Sequence, residues 1–268
     1  MKTLSATSKA YLEALLDVYE HGTMVSCHNN RGSSTREIED YRFTIDDPDS
    51  KPIVTLDKER NAIIQDYTEK EMKLYLSGTN QVEDYAKISA FWKKIANPNG
   101  TLNSAYGHLI WHQKSCGWPE WICGGAGWMD KARDIDPKDV DWMTPWDWAL
   151  GSLVRDIETR QAYLRFSLPR HQWFGNKDQV CTMHGQFLVR NGKLNFSVVM
   201  RSNDMVKGLV YDLPFFVTLQ HMMRQALHDH GHNLKVGQYR HMAHSMHIYE
   251  ADFPRVRKML GLGGSLTK

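Results

Sequence analysis

The chain has 268 residues, a formal net charge of +2 and 41% hydrophobic residues. That length allows one large domain or two small ones around a sizeable core. The near-balanced charge carries no polycation signature for duplex nucleic acid, no apolar run approaches the ~20 residues of a membrane span, and the four cysteines form no CxxC pair of a zinc ribbon.

The opening stretch MKTLSATSKAYLEALLDVYEHG reads as an amphipathic helix over 7–22 rather than a secretory leader, with Tyr11, Leu12, Leu15, Leu16 and Tyr19 on one face. Thiols in a cytoplasmic, reducing setting are the expectation. HNNRGSSTRE, 28–37, is a polar loop. The pattern predicts helices over 68–77, ending at Gly78, and over 81–96. Residues 115–148 hold six of the nine tryptophans among glycine, proline and acidic residues, which suggests an ordered insertion, since flexible linkers have other compositions.

The texture then turns β-rich in QAYLRFSL, VCTMHGQFLVR and LNFSVVMRS. Asn191-Gly192 between the last two predicts a β-hairpin over 179–202. LPFFVTLQHMMRQALHDH is apolar enough to be a buried central helix, and QYRHMAHSMHIYEADF reads as a late strand. The expected fold class is α+β, with one mostly antiparallel sheet packed with helices, in a single domain over 1–268 that carries the insertion.

On the hairpin, Cys181 falls roughly opposite Arg201. A buried cysteine is usually a small core residue, but a cationic neighbour is what a thiolate nucleophile requires. Arg31, Arg160 and Arg201 lie in polar connections and Ser202 follows the last of them; arginines with a hydroxyl suit a phosphate. LHDHGHN matches no usual zinc-ligand spacing, so no metal is expected.

These segments together resemble the thymidylate synthase family. RSNDMVKGLVYD resembles its nucleotide-binding signature R-S-x-D-x-x-x-G-x-x-x-N, and CTMHGQF its catalytic-cysteine segment. HSMHIYE resembles its late G-D-x-H-x-Y strand, and NNRGSSTRE, EMKLYLSGTN and FWKKIANPNGTLNSAYG match its earlier segments in order. The resemblance covers about residues 10–255 and implies a thymidylate synthase-like fold, with the sheet at a homodimer interface. It implies 5,10-methylenetetrahydrofolate as co-substrate and a pyrimidine nucleoside monophosphate as substrate, with no metal, nucleic acid or membrane partner.

Carried over position by position, the resemblance makes Cys181 the nucleophile, Glu71 the organiser of water and proton transfer, and Tyr106 the phenol near carbon 5. Arg31, Arg160, Arg201 and Ser202 would hold the phosphate. Gln186 and Asp212 would meet the nucleotide, with Asp212 at the base edge, and His247 and Tyr249 would bond the sugar. Trp92, Asp204 and Gly208 would form the folate site, Asp204 also facing the pyrimidine.

Three departures matter. The family's histidine after the cysteine is Thr182, the asparagine that reads uracil is Asp212, and the second of two adjacent arginines that reach the partner subunit's phosphate is Gln161. The first two are similar to the deoxycytidylate hydroxymethylases of T-even phages, which implies hydroxymethyl transfer to (d)CMP in the cytoplasm of a phage-infected bacterium. Asp212 could equally be a helix N-cap before LPFFVTLQ. Open alternatives are a dUMP hydroxymethylase, a thymidylate synthase, a cytidylate methylase, or a nucleotide-binding protein without catalysis.

Overall fold

The computed structural model describes residues 4–26, 34–113, 115–116 and 142–262. Helix α1 (Ala6–His21) begins where Ser5 caps the Ser8 amide. Strands β1 (Thr23–Val25) and β2 (Thr35–Ile45) follow, then α2 (Lys58–Ser77), α3 (Val82–Ala86), α4 (Phe91–Ile95) and α5 (Tyr106–Trp111). The short pair β3 (Ser115–Cys116) and β4 (Trp142–Met143) precedes α6 (Pro145–Arg155) and β5 (Tyr163–Arg165). Then come β6 (Thr182–Arg190), β7 (Lys193–Met200), β8 (Asn203–Asp204), a single π turn at Met205–Leu209, α7 (Val210–Asp229), β9 (Lys235–Tyr249) and α8 (Phe253–Met259).

The sheet runs β1-β2-β9-β7-β6-β5, with β8 added beside β9. Its pairings are antiparallel except β7 and β8 with β9, so the α+β class with a mostly antiparallel sheet is observed. The 182–200 hairpin closes at Asn191 and Gly192, whose φ angles of 52° and 68° are those a two-residue turn of the favoured hand requires. Its inner face presents Phe187 and Phe196, stacked at 4.2 Å between ring centroids. Gly185 is required there, because a Cβ would lie 2.6 Å from the Phe196 ring. Each such fully buried ring contributes roughly 2 kcal/mol of burial. The other face of the hairpin carries the half-exposed His184, Gln186, Asn195 and Ser197.

Helix α7 covers the inner face. Val210–Val217 are buried without interruption, and buried residues then recur at 219, 220, 223 and 227 as one side opens to solvent. Gln220 is the polar exception. Its amide donates to the carbonyls of Leu194 (2.8 Å) and Gly237 (3.1 Å), beside the point where the β7–β9 register shifts.

Several boundaries differ from expectation. The helix expected over 68–77 starts ten residues earlier, at Lys58 after an Asp57 cap, and ends as expected at Gly78 in the left-handed conformation. The stretch 81–96 is two short helices, not one. The polar loop gives way at Thr35 to an eleven-residue strand whose charged, half-exposed face hid its period. Of the Trp-rich insertion, residues 117–141 lie outside the described residues; its end forms β4 and the start of α6, fixed by a Thr144–Asp147 capping box.

Candidate active site

A cavity of about 760 Å³ opens where the ends of α2, β7, β8, α7 and β9 meet. It is lined by Glu71, Trp92, Tyr106, Cys181, Arg201, Ser202, Asp204, Gly208, Asp212, His247 and Tyr249, so most of the residues singled out in the sequence converge on one space. Its volume suits a ligand of nucleotide or cofactor size.

Cys181 sits just before β6, half-buried, and its carbonyl accepts from the Arg201 backbone at 2.9 Å. The Arg201 guanidinium lies 3.4 Å from Cys181 Sγ and donates to the carbonyls of Gln179 (2.7 Å) and Val180 (3.1 Å). The expected cross-hairpin pair is therefore present. Its electrostatic result is not the one expected: burial pushes the thiol up, Arg201 opposes that only in part, and Asp212, Asp178 and Asp204 add to the rise. The resting side chain is a thiol with an arginine in place to stabilise its ionised form.

Glu71 projects from α2, and Asp212 lies in the first turn of α7. Burial raises Glu71 to about 8, with the charge of Asp212 as the second cause. Burial raises Asp212 to about 7, against the lowering effect of a hydrogen bond from Asn203. Asp212 is the third residue of the helix, and its Oδ2 accepts from Asn203 Nδ2 at 3.2 Å, so it does not act as the N-cap. Two buried carboxyls that titrate near neutrality give the cavity proton donors and acceptors for acid–base work.

The wall beside Glu71 is aromatic. Trp92 Nε1 donates to the Tyr67 hydroxyl at 3.2 Å, and that hydroxyl donates to Glu71 Oε1 at 3.2 Å. Tyr106 is buried against Tyr75, Phe166, Phe215 and Phe216, and burial holds its phenol well above the ordinary range. Asp204 Oδ1 caps the π turn by accepting from the amides of Val206 (2.8 Å) and Lys207 (3.1 Å). His247 pairs with Asp204 across β8 and β9, and its ring meets Tyr249 edge-on at 5.3 Å.

Two expected residues are not among the cavity's walls, Gln186 and Arg160, and Arg31 lies outside the described residues. Gln186 points from the opposite face of β6, since strand side chains alternate and its neighbours Gly185 and Phe187 face the core. There its amide donates to the Arg160 carbonyl at 2.8 Å, and the Arg160 side chain is exposed. Conversely, Tyr67, Tyr211, Asn203 and Asp178 line the cavity without having been singled out. Asp178 accepts from the amides of Asn103 (2.6 Å) and Ser104 (3.0 Å), tying the segment before Cys181 to the one before Tyr106. Asn203 stood in plain view as the third residue of RSND; the others carried no signal in the sequence.

Comparison with known proteins agrees with this arrangement. Residues 9–262 match the family model described as thymidylate synthase. The deoxycytidylate 5-hydroxymethyltransferases of Enterobacteria phages T4 and T2 are each 25% identical over 199 residues, which is 72% of this chain and 70% of theirs. The thermostable thymidylate synthase A from Bacillus subtilis superposes with a TM-score of 0.67 at 19% identity, over 95% of this chain and 84% of that one. A family match over nearly the whole length, on a fold that brings the matched residues into one cavity, means that this chain belongs to the thymidylate synthase family.

Proposed function

We propose that this chain is a pyrimidine nucleotide 5-hydroxymethyltransferase that adds a hydroxymethyl group to carbon 5 of (d)CMP. The observation that carries the reading is a buried carboxyl, Asp212, on the cavity that holds Cys181. Cytosine offers an amine donor beside a ring-nitrogen acceptor, and a carboxyl that carries a proton near neutrality complements both. Uracil reverses that edge and would leave buried groups unpaired.

Cys181 Sγ attacks carbon 6 once the nucleotide is bound. The carbon 5–carbon 6 double bond opens, its electron pair makes carbon 5 nucleophilic, and Arg201 stabilises the reacting thiolate. The family uses methylenetetrahydrofolate, which when bound would give its one-carbon unit to carbon 5 and depart as tetrahydrofolate, the nitrogen that held the unit keeping the electron pair of the broken bond and taking a proton in place of the one lost from carbon 5. The cavity suits such a group: Ile88, Phe91, Trp92 and Ile95 form an apolar shelf, with Asp204 and Lys207 as polar partners for a heterocycle's edge. After the proton on carbon 5 has left, Glu71 holds a water and takes its proton as the hydroxyl adds to the exocyclic carbon. The electron pair returns to the ring, and the Cys181 sulfur leaves carbon 6. Net addition to the nucleotide is CH2O. A thymidylate synthase-type outcome would add CH2.

The half-exposed sheet face that carries Gln186 and the exposed Arg160 suits a second copy of the chain, with Arg160 reaching across to the partner's phosphate. Product mass after incubation with CMP, dCMP and dUMP plus methylenetetrahydrofolate tests the whole reading. A CH2O gain on a cytosine nucleotide supports it. A CH2 gain on dUMP, or no product on any nucleotide, rejects it.

A further inference from the structure

Asp212 has buried neighbours that lead away from the cavity. Beyond Asn203, whose Nδ2 donates to Asp212 Oδ2, the Asn203 Oδ1 lies 3.1 Å from His241 Nε2, and His241 Nδ1 lies 2.8 Å from the Tyr239 hydroxyl. Asn203, His241 and Tyr239 are 2%, 1% and 0% exposed. The direction of this chain of bonds follows from its far end. Among the described residues the Tyr239 hydroxyl has no second polar partner, so its hydrogen goes to His241 Nδ1. Burial holds His241 near 3, which keeps the ring neutral. A neutral imidazole that accepts at Nδ1 carries its hydrogen at Nε2 and donates it to Asn203 Oδ1. That fixes the amide, with its NH2 turned to Asp212. The opposite direction would strand the Tyr239 hydrogen in the dry interior.

We propose that Tyr239, His241 and Asn203 are positioning residues that assign the two oxygens of Asp212, so that Oδ2 only accepts and any proton of the carboxyl sits on Oδ1. The consequence rests on the cytosine reading above. A protonated carboxyl could in principle copy an amide in either sense, one matching cytosine and the other uracil. With Oδ2 held as an acceptor, only one sense survives. For cytosine, Oδ1–H meets the ring nitrogen, and the second lone pair of Oδ2 takes the exocyclic amine. A uracil in the same pose would need a proton on Oδ2 to meet its carbonyl, where the Asn203 NH2 already points. The relay therefore refuses uracil by closing off one protonation form of a residue that could otherwise accept it.

Two measurements on the full chain test this. In 15N-histidine spectra, the His241 signal, identified by its loss in His241→Gln, should show the neutral Nε2–H form from pH 8 down to 5. A Nδ1–H form or a charged ring in that range overturns the relay, and this readout needs no substrate. In the second, the dCMP-to-dUMP ratio of kcat/KM should fall by about tenfold or more in His241→Phe, mainly through gained dUMP turnover, and recover in His241→Gln, whose amide can donate to Asn203 and accept from Tyr239. Equal losses on both nucleotides with an unchanged ratio would mean that His241 only packs, against Phe43 and Phe216, and overturn the proposal. If His241→Phe does not fold, the wild-type spectrum decides. A wild type that prefers dUMP refutes the cytosine reading itself, and the spectrum then judges the relay separately.

Discussion

The charge of Asp212, on α7, raises the pKa of Glu71, on α2, so the two carboxyls of the cavity are coupled rather than independent. Both have folded-state values above the ordinary carboxylate range, about 8 and about 7. Between about pH 4 and 8 the folded chain therefore binds more protons at these two groups than the unfolded chain does. Their contribution to stability is fully present at the acid end and is lost as pH rises through the folded values, with a slope of up to ~1.4 kcal/mol per pH unit for each group. Denaturant unfolding of wild type, Glu71→Gln and Asp212→Asn at pH 5, 6, 7 and 8 checks this. Each substitution should flatten the decline, and parallel curves for all three proteins would contradict the coupling.

Asp212→Asn alone should keep the preference for cytosine nucleotides, because the Asn203 NH2 holds the new amide oxygen at the Oδ2 position and leaves the new NH2 to meet the ring nitrogen as the carboxyl proton does. Asp212→Asn combined with His241→Phe, which frees the Asn203 amide to turn, should move preference toward uracil nucleotides. Each buried group left unpaired costs about 1–3 kcal/mol, so the ratio of kcat/KM on dCMP and dUMP should differ by about tenfold or more between the single and the double mutant. A single mutant that turns to dUMP while His241 is intact would contradict the fixed orientation of the Asn203 amide.

Cys181→Ala should abolish tritium release from carbon 5 of labelled nucleotide while leaving the unfolding midpoint close to wild type, since the side chain is only half-buried. Arg201→Ala should raise the thiol pKa further and slow alkylation of Cys181 severalfold at pH 8, because the one lowering influence on the thiol is removed. Near-normal tritium release by Cys181→Ala would sink the nucleophile assignment. Faster alkylation in Arg201→Ala would sink the role given to the guanidinium.

Arg160→Ala and Cys181→Ala proteins, each inactive or nearly so, should regain activity when mixed, up to about a quarter of wild type if subunits re-pair at random and sites act independently. One of the two shared sites would then hold both intact residues. Demonstrated subunit exchange with no recovery would rule out a cross-subunit role for Arg160.

Much of the site was legible because its residues sit in short, ordered segments whose chemistry is unusual for connections. The hairpin was legible through Asn191-Gly192, whose left-handed backbone few other pairs adopt. The start of α2 was not. Its buried stripe is Arg60, Ile64, Thr68, Glu71 and Tyr75, spaced as a helix requires but mostly polar, because Glu71 and Tyr75 face the cavity and Arg60 donates to the Val206 carbonyl and the Tyr211 hydroxyl. A search for apolar period misses a helix whose buried residues serve the site. The relay behind Asp212 was equally hidden: Tyr239 and His241 stand two apart on a strand and thirty-odd residues from Asn203, and only the parallel pairing of β7 and β8 with β9 brings them together.

That parallel pairing also sets an order of assembly. The hairpin that bears Cys181 and Arg201 is local in sequence and can form by itself. His247 and Tyr249 reach the cavity only after the chain has crossed back through α7 and laid β9 beside β7, a step that must first meet the entropy of closing a long loop. The nucleophile's strand should therefore be in place before the far wall of the cavity exists. In pulse-labelled amide exchange during refolding, protection over 182–200 should precede protection over 235–249, and the capacity to bind a nucleotide should arise with the later phase.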